Sequence, residues 1–122
     1  PWMRSMVARL HDDGYLTVNG KRYRGTLAVS APDGGLSLVN HLPLDDYLRS
    51  VVGTEMGGRP RSDSAALQAQ AVAARSFAYL KLNGRGDFDI RASVADQAYA
   101  GVDAENTAAN NDERRVAVEG LP

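Results

Sequence analysis

Polar and apolar residues alternate over the first third of the chain, and the spacing then becomes helical. Residues 15–18 and 23–29 are rich in strand-forming side chains and flank Asn19-Gly20, the dipeptide best suited to a two-residue hairpin turn. Residues 36–40 alternate in the same way after the turn-forming residues 33–35. This pattern predicts an antiparallel meander of three or four short strands.

Helical spacing begins near Pro43. One apolar stripe falls at positions i, i+3, i+4, i+7 and i+8 and consists of Leu44, Tyr47, Leu48, Val51 and Val52. Gly53, Gly57 and Pro60 predict the end of this helix. Glu55 is therefore expected in a Gly-rich loop that follows the helix.

A second helix is predicted from a cap at Asp63 or Ser64 to about Leu82. Its apolar residues are spread around the whole helix, which is typical of a helix buried at the centre of a domain. Gln70 and Arg75 lie near the most apolar side, and buried polar groups need partners. They either satisfy loop carbonyls and a carboxylate to hold the fold, or orient Glu55 and its loop.

Short extended segments are expected after this helix, at residues 87–91 and from Val116 onwards, with a polar stretch over 103–112. The predicted fold class is α+β. An N-terminal antiparallel meander leads into two helices that flank the Glu55 loop, and the extended segments pack back on the sheet.

Composition excludes several functions. A net charge of -1 and a pI near 6.1 give no basic surface for nucleic acid, and the chain has no cysteine for disulfides or thiolate metal sites. His11 and His41 sit in no metal-binding spacing. No cofactor or metal is therefore predicted. The chain also shows neither a signal peptide nor the roughly 18 apolar residues of a transmembrane segment.

Few catalytic arrangements fit the remaining residues. No G-x-S-x-G occurs, and the glycines near position 55 lack the Lys-Ser/Thr of a phosphate loop. Asp45 and Asp46 are better explained as partners of the positive helix terminus than as catalytic mates of Glu55. A single glutamate can still act first as an acid and then as a base when the substrate supplies its own hydroxyl, as muramyl sugars do at C6.

Several separate motifs resemble one family. They are residues 42–48 (LPLDDYL), 51–56 (VVGTEM), 66–78 (ALQAQAVAARSFA), 88–90 (FDI) and 97–101 (QAYAG), with Tyr23-Arg-Gly25 and Val39-Asn40 in the leading strands. In order and spacing they resemble the stage II sporulation protein D (SpoIID) family, which includes the LytB-type amidase-enhancer domains. The resemblance covers some 95 residues of 122.

The resemblance implies a domain that acts on peptidoglycan glycan strands in the bacterial cell envelope, in an exported protein. Members of the sporulation type are lytic transglycosylases, and the glutamate of the family's Glu-Met pair corresponds to Glu55. Glu55 is thus the expected catalytic residue. Gln70, Arg75, Gln97 and Tyr99 are the expected substrate-binding or supporting residues.

Two alternatives stay open. The domain could be a non-catalytic module that binds cell-wall glycan and enhances an N-acetylmuramoyl-L-alanine amidase, or its motifs could serve packing alone. For Gln97 and Tyr99 the packing interpretation is favoured. Residues 1–122 are expected to form a single domain of the family, incomplete at its C-terminal end because family domains continue into further strands there.

Overall fold

The computed structural model describes residues 5–8, 14–31, 34–57, 64–82, 86, 88–93, 95–105 and 115–119. The strands are β1 (Ser5–Ala8), β2 (Leu16–Val18), β3 (Lys21–Tyr23), β4 (Thr26–Ser30), β5 (Ser37–Pro43), β6 (Ile90–Arg91) and β7 (Arg115–Glu119). The helices are α1 (Leu44–Met56), α2 (Ser64–Lys81) and a 3₁₀ turn, Val102–Ala104. The predicted α+β fold is confirmed. The polar stretch 103–112 lies mostly outside the described residues.

Two sheets form in the described part of the chain. β2 and β3 pair as the predicted hairpin, with Asn19 (φ 51) and Gly20 (φ 77) at its turn. The larger sheet has the order β1-β4-β5-β7-β6, in which only the β6–β7 pairing is parallel. The extended segments after α2 therefore return to the sheet, as expected.

The predicted strand over residues 23–29 is in fact two strands that belong to different sheets. The break lies at Gly25, which has φ 78. A Cβ at this position would lie 2.1 Å from the carbonyl oxygen of His41. Gly25 thus permits both a left-handed backbone and a close approach to β5, and the chain changes sheet at this point.

Helix α1 continues past the residue predicted to end it. The helix runs through Gly53 to Met56, and Gly57, with φ 64, follows its last turn. A Cβ on Gly53 would lie 1.5 Å from the carbonyl oxygen of Ala104. Gly53 is therefore a packing residue that lets the 3₁₀ turn approach the helix, and the expectation of Glu55 in a loop is wrong. Glu55 lies in the last turn of α1.

The central helix is α1, not α2 as predicted. The stripe of Leu44, Tyr47, Leu48, Val51 and Val52 is at most 1% exposed. On α2 the buried residues form a single narrow stripe, Leu67, Ala71, Ala74 and Ala78. The opposite side of α2 is exposed and includes Val72 and Leu80, at 47% and 86%. Most residues on that side are small, so leaving them in water costs little.

Among the described residues, no helix combines the length and the apolar character that crossing a membrane requires.

Candidate functional site

Glu55 is an exposed carboxylate beside a small apolar cluster. Val52, Leu67 and Ala71 are buried in this cluster, and Met56 packs against it. The cluster joins the end of α1 to the first half of α2, so the backbone on both sides of the carboxylate is anchored. No basic residue lies in the last turn of α1. A carboxylate in that turn faces the negative end of the helix dipole, which disfavours it by about 0.3–1 kcal/mol.

Gln70 contacts Glu55 across the two helices. The Nε2 atom of Gln70 donates a hydrogen bond to Oε2 of Glu55 at 2.5 Å. Arg75 is also half-buried on α2, but no hydrogen bond or ion pair joins it to Glu55. Its position, five residues after Gln70, turns it about 140° around the helix. Of the two polar residues expected beside Glu55, the structure therefore brings only Gln70 to it.

Gln97 lies in the interior, away from Glu55, and joins the two helices. Its Oε1 accepts a hydrogen bond from the Tyr47 hydroxyl at 2.8 Å, and its Nε2 donates to the Ala74 carbonyl at 3.1 Å. Only 5% of Gln97 is exposed. The residue ties α1 to α2, which favours the packing interpretation and makes Gln97 a support for the helix pair that carries Glu55 and Gln70.

Tyr99 belongs to a buried polar network under the sheet. Its hydroxyl donates to Oδ1 of Asn40 at 2.5 Å, and its ring stacks on Tyr47 with centroids 5.3 Å apart. Asn40 in turn donates from Nδ2 to the carbonyls of Arg24 and Thr26, at 2.7 and 3.1 Å. Burial raises the pKa of both Tyr47 and Tyr99 far above the usual value, so both hydroxyls stay protonated donors.

Asn40 is the structural residue that the sequence interpretation undervalued. It is fully buried and bonds at once to Tyr99 and to the backbone where the chain changes sheet. The available signal was a polar side chain on the apolar side of an alternating strand, between Leu38 and Leu42.

Replacing Asn40 with alanine is expected to lower the free energy of unfolding by about 2–3 kcal/mol, because one buried hydroxyl and two carbonyls lose their partner. Urea denaturation measures the change. Tyr99→Phe is the matched control, since it removes one of these bonds and leaves both Asn40 donors in place. An Asn40→Ala protein as stable as Tyr99→Phe would contradict this role.

Two ion pairs hold the 3₁₀ turn from the outside. Arg22 pairs with Asp103, and Arg24 makes a bidentate pair with Glu105 at 2.6 and 3.1 Å. The hydrogen bonds that Arg24 donates to the Glu105 carboxylate raise the pKa of its guanidinium. The less exposed pair, Arg24 with Glu105, holds the segment against which Gly53 packs, whereas the Arg22–Asp103 pair is about half exposed and contributes little.

The described residues contain no group of three or more His, Asp or Glu side chains that could hold a metal ion. The expectation that the site uses neither a metal nor a cofactor stays a prediction.

Comparison with known proteins identifies the family. Residues 32–120 match the profile of SpoIID, the stage II sporulation protein family, so the leading strands before residue 32 lie outside the match. An uncharacterised protein of Brachyspira hyodysenteriae is 36% identical over 97 residues, which are 77% of this chain and 26% of that protein. The chain thus spans about a quarter of that relative's length. No solved structure matches at a significant level. The match over well more than half of the chain shows that it belongs to the stage II sporulation protein family.

Proposed function

We propose that this domain is a peptidoglycan lytic transglycosylase with Glu55 as its general acid and base. Its reaction cleaves the bond between N-acetylmuramic acid and N-acetylglucosamine and leaves a 1,6-anhydro sugar. Family membership supports the coarser statement, a cell-wall-related function in sporulation. The observation that carries the finer proposal is the Glu55 carboxylate, exposed at the end of α1 and held there by Gln70.

Glu55 would transfer one proton in each direction. As a carboxylic acid it protonates the glycosidic oxygen while the bond from that oxygen to the anomeric carbon breaks. The resulting carboxylate then accepts the proton of the C6 hydroxyl as that oxygen bonds to the anomeric carbon. Glu55 is again an acid at the end, and no water is consumed.

Asp45 and Asp46 lie too far from Glu55 to act with it in a two-carboxylate mechanism. Asp45 and Asp46 lie in the first turn of α1, where Arg49 contacts them at 2.9 and 3.5 Å. Ten residues of helix separate Asp45 from Glu55 by about 15 Å. Glycosidases that use two carboxylates hold them about 5–9.5 Å apart. These aspartates therefore do not serve as the second catalytic group.

Purified glycan strands provide the test. Incubation with the protein is expected to produce shorter strands with new ends. Chromatography separates the strands by length and so measures the shortening. Strands that keep their original length distribution under conditions where the protein is folded would contradict the proposal.

The amidase-enhancer alternative has one supporting observation: Glu55 is exposed, and an exposed carboxylate can contact a glycan without protonating it. The two functions separate when a cell-wall amidase is added to intact peptidoglycan. An enhancer increases the release of stem peptides and leaves glycan length unchanged, whereas a transglycosylase shortens the strands without the amidase.

The proposed substrate also fixes the expected location. Peptidoglycan lies in the cell envelope, so the protein that contains this domain is expected to be exported.

A further inference from the structure

The hydrogen bond between Gln70 and Glu55 involves only one of the two carboxylate oxygens of Glu55. A side-chain amide N–H of Gln70 meets Oε2 of Glu55, while Oε1 is not its acceptor. Leu67 and Ala71 flank Gln70 on α2 and are each 2% exposed. Because buried neighbours hold the α2 backbone at this point, the amide approaches the carboxylate from a fixed direction.

An N–H donor on one carboxylate oxygen restricts where a proton can reside. An ionised Glu55 accepts the bond at Oε2, and so does a neutral Glu55 whose proton is on Oε1, because Oε2 is then the carbonyl oxygen. A proton on Oε2 would instead meet the N–H group of Gln70. The hydrogen bond is therefore compatible with both protonation states only if Oε1 carries the proton.

We propose that Gln70 is a positioning residue that holds Oε2 of Glu55 through the whole cycle and leaves Oε1 as the oxygen that exchanges protons with the sugar. This inference rests on the proposed transglycosylase function. Each turnover needs Glu55 first neutral and then charged. A hydrogen bond that fits only one of these states would have to break and form again in every cycle.

A neutral amide suits this task better than a cation. A guanidinium or ammonium group on the same oxygen would bind the ionised form of Glu55 far more strongly than its neutral form. The charged side chains of the described α2 are Arg75, which does not contact Glu55, and Lys81, which pairs with Asp96 at 3.4 Å. Tyr47, on α1, does not add a charge near Glu55 either, because burial raises its pKa and keeps its hydroxyl neutral.

Three variants test the proposal by activity on purified glycan strands. Gln70→Leu is expected to lower kcat by about 10- to 100-fold with KM within about twofold, because the carboxylate loses its orientation but the sugar keeps its contacts. Gln68→Leu is the matched control, since Gln68 is exposed on the same helix and makes no hydrogen bond to Glu55. It should retain wild-type kinetics. The double variant Glu55→Gln with Gln70→Glu exchanges the two groups.

The exchange separates positioning from support of the fold. It keeps an amide and a carboxylate in contact, so its urea midpoint should equal that of the wild type, while cleavage is lost because the carboxylate is now on α2. Gln70→Leu with wild-type kcat would overturn the proposal. So would a loss of kcat that disappears once activity is corrected for the folded fraction.

A signal independent of activity distinguishes this proposal from the function on which it rests. The side-chain amide proton signals of Gln70 in NMR spectra should move when Glu55 is replaced with leucine, and those of Gln68 should not. Unchanged Gln70 signals overturn the contact itself. A folded wild type that shows the contact but never cleaves glycan overturns the proposed function, and the catalytic role of Gln70 fails with it.

Discussion

Replacing Glu55 with glutamine is expected to lower kcat for glycan cleavage by about 10²- to 10⁴-fold, the range that a general acid or base contributes. Glutamine has almost the same shape and can still accept a hydrogen bond from Gln70 through its amide oxygen. It cannot donate a proton to the glycosidic oxygen or accept one from the C6 hydroxyl. The substitution therefore removes the chemistry and keeps the helix pair.

Two comparisons make this result specific. Asp103→Asn removes one negative charge from an exposed ion pair on another part of the surface and should leave cleavage unchanged. The urea midpoint of Glu55→Gln should match the wild type or exceed it slightly, because a neutral side chain suits the helix C-terminus better. A Glu55→Gln protein that cleaves glycan at the wild-type rate would end the proposed role of Glu55.

Replacing Gly53 with alanine should cause a large loss of stability, about 3 kcal/mol in the free energy of unfolding. The added Cβ would lie 1.5 Å from the Ala104 oxygen and 2.7 Å from its carbonyl carbon. Both are backbone atoms, so α1 and the 3₁₀ turn must move apart. Alanine favours a helix over glycine by about 1 kcal/mol, so helix propensity alone would make the variant more stable. A loss of stability would therefore show the effect of the close packing.

Gly35→Ala is the matched control for this substitution. Gly35 has no heavy atom within 4 Å of an added Cβ, so its replacement should change the urea midpoint little. If Gly53→Ala were as stable as the wild type or more stable, Gly53 would be an ordinary helical residue. The close packing of α1 against Ala104 would then be wrong.

Local sequence signals predicted the local structure well. The hairpin at Asn19-Gly20 and the buried stripe of α1 both depend on neighbouring residues alone, namely a turn dipeptide and a helical repeat of apolar side chains. A strong local preference that agrees with the final packing leaves little room for another outcome.

The errors arose where distant residues decide the structure. A glycine at position 53 could either end a helix or make room for a backbone carbonyl that packs against the helix. The local sequence is the same in both cases, and only the position of Ala104 distinguishes them. Strand β7 inserts between β5 and β6, a pairing that no spacing within the chain indicates. The many alanines of α2 led to the prediction that the helix is buried on all sides. Alanine is small enough to be exposed to water at little cost, so this prediction failed.

The contacts of the expected site residues could not be predicted from the sequence. Helical spacing indicated that Gln70 and Arg75 both needed partners, but which of them meets Glu55 depends on how α1 and α2 pack against each other. Gln97 and Tyr99 have their partners in the interior, in Tyr47 and Asn40. The four expected supporting residues therefore do not form one cluster around the carboxylate.

The mass of the new glycan ends tests the central claim most directly. Wild-type protein and Glu55→Gln are incubated with purified glycan strands, and the fragments are measured by mass spectrometry. The account predicts that the new muramic acid ends made by the wild type are one water lighter than hydrolysed ends, as a 1,6-anhydro ring requires, and that Glu55→Gln makes almost none. Fragments with hydrated reducing ends, or equal amounts of anhydro ends from both proteins, would contradict it.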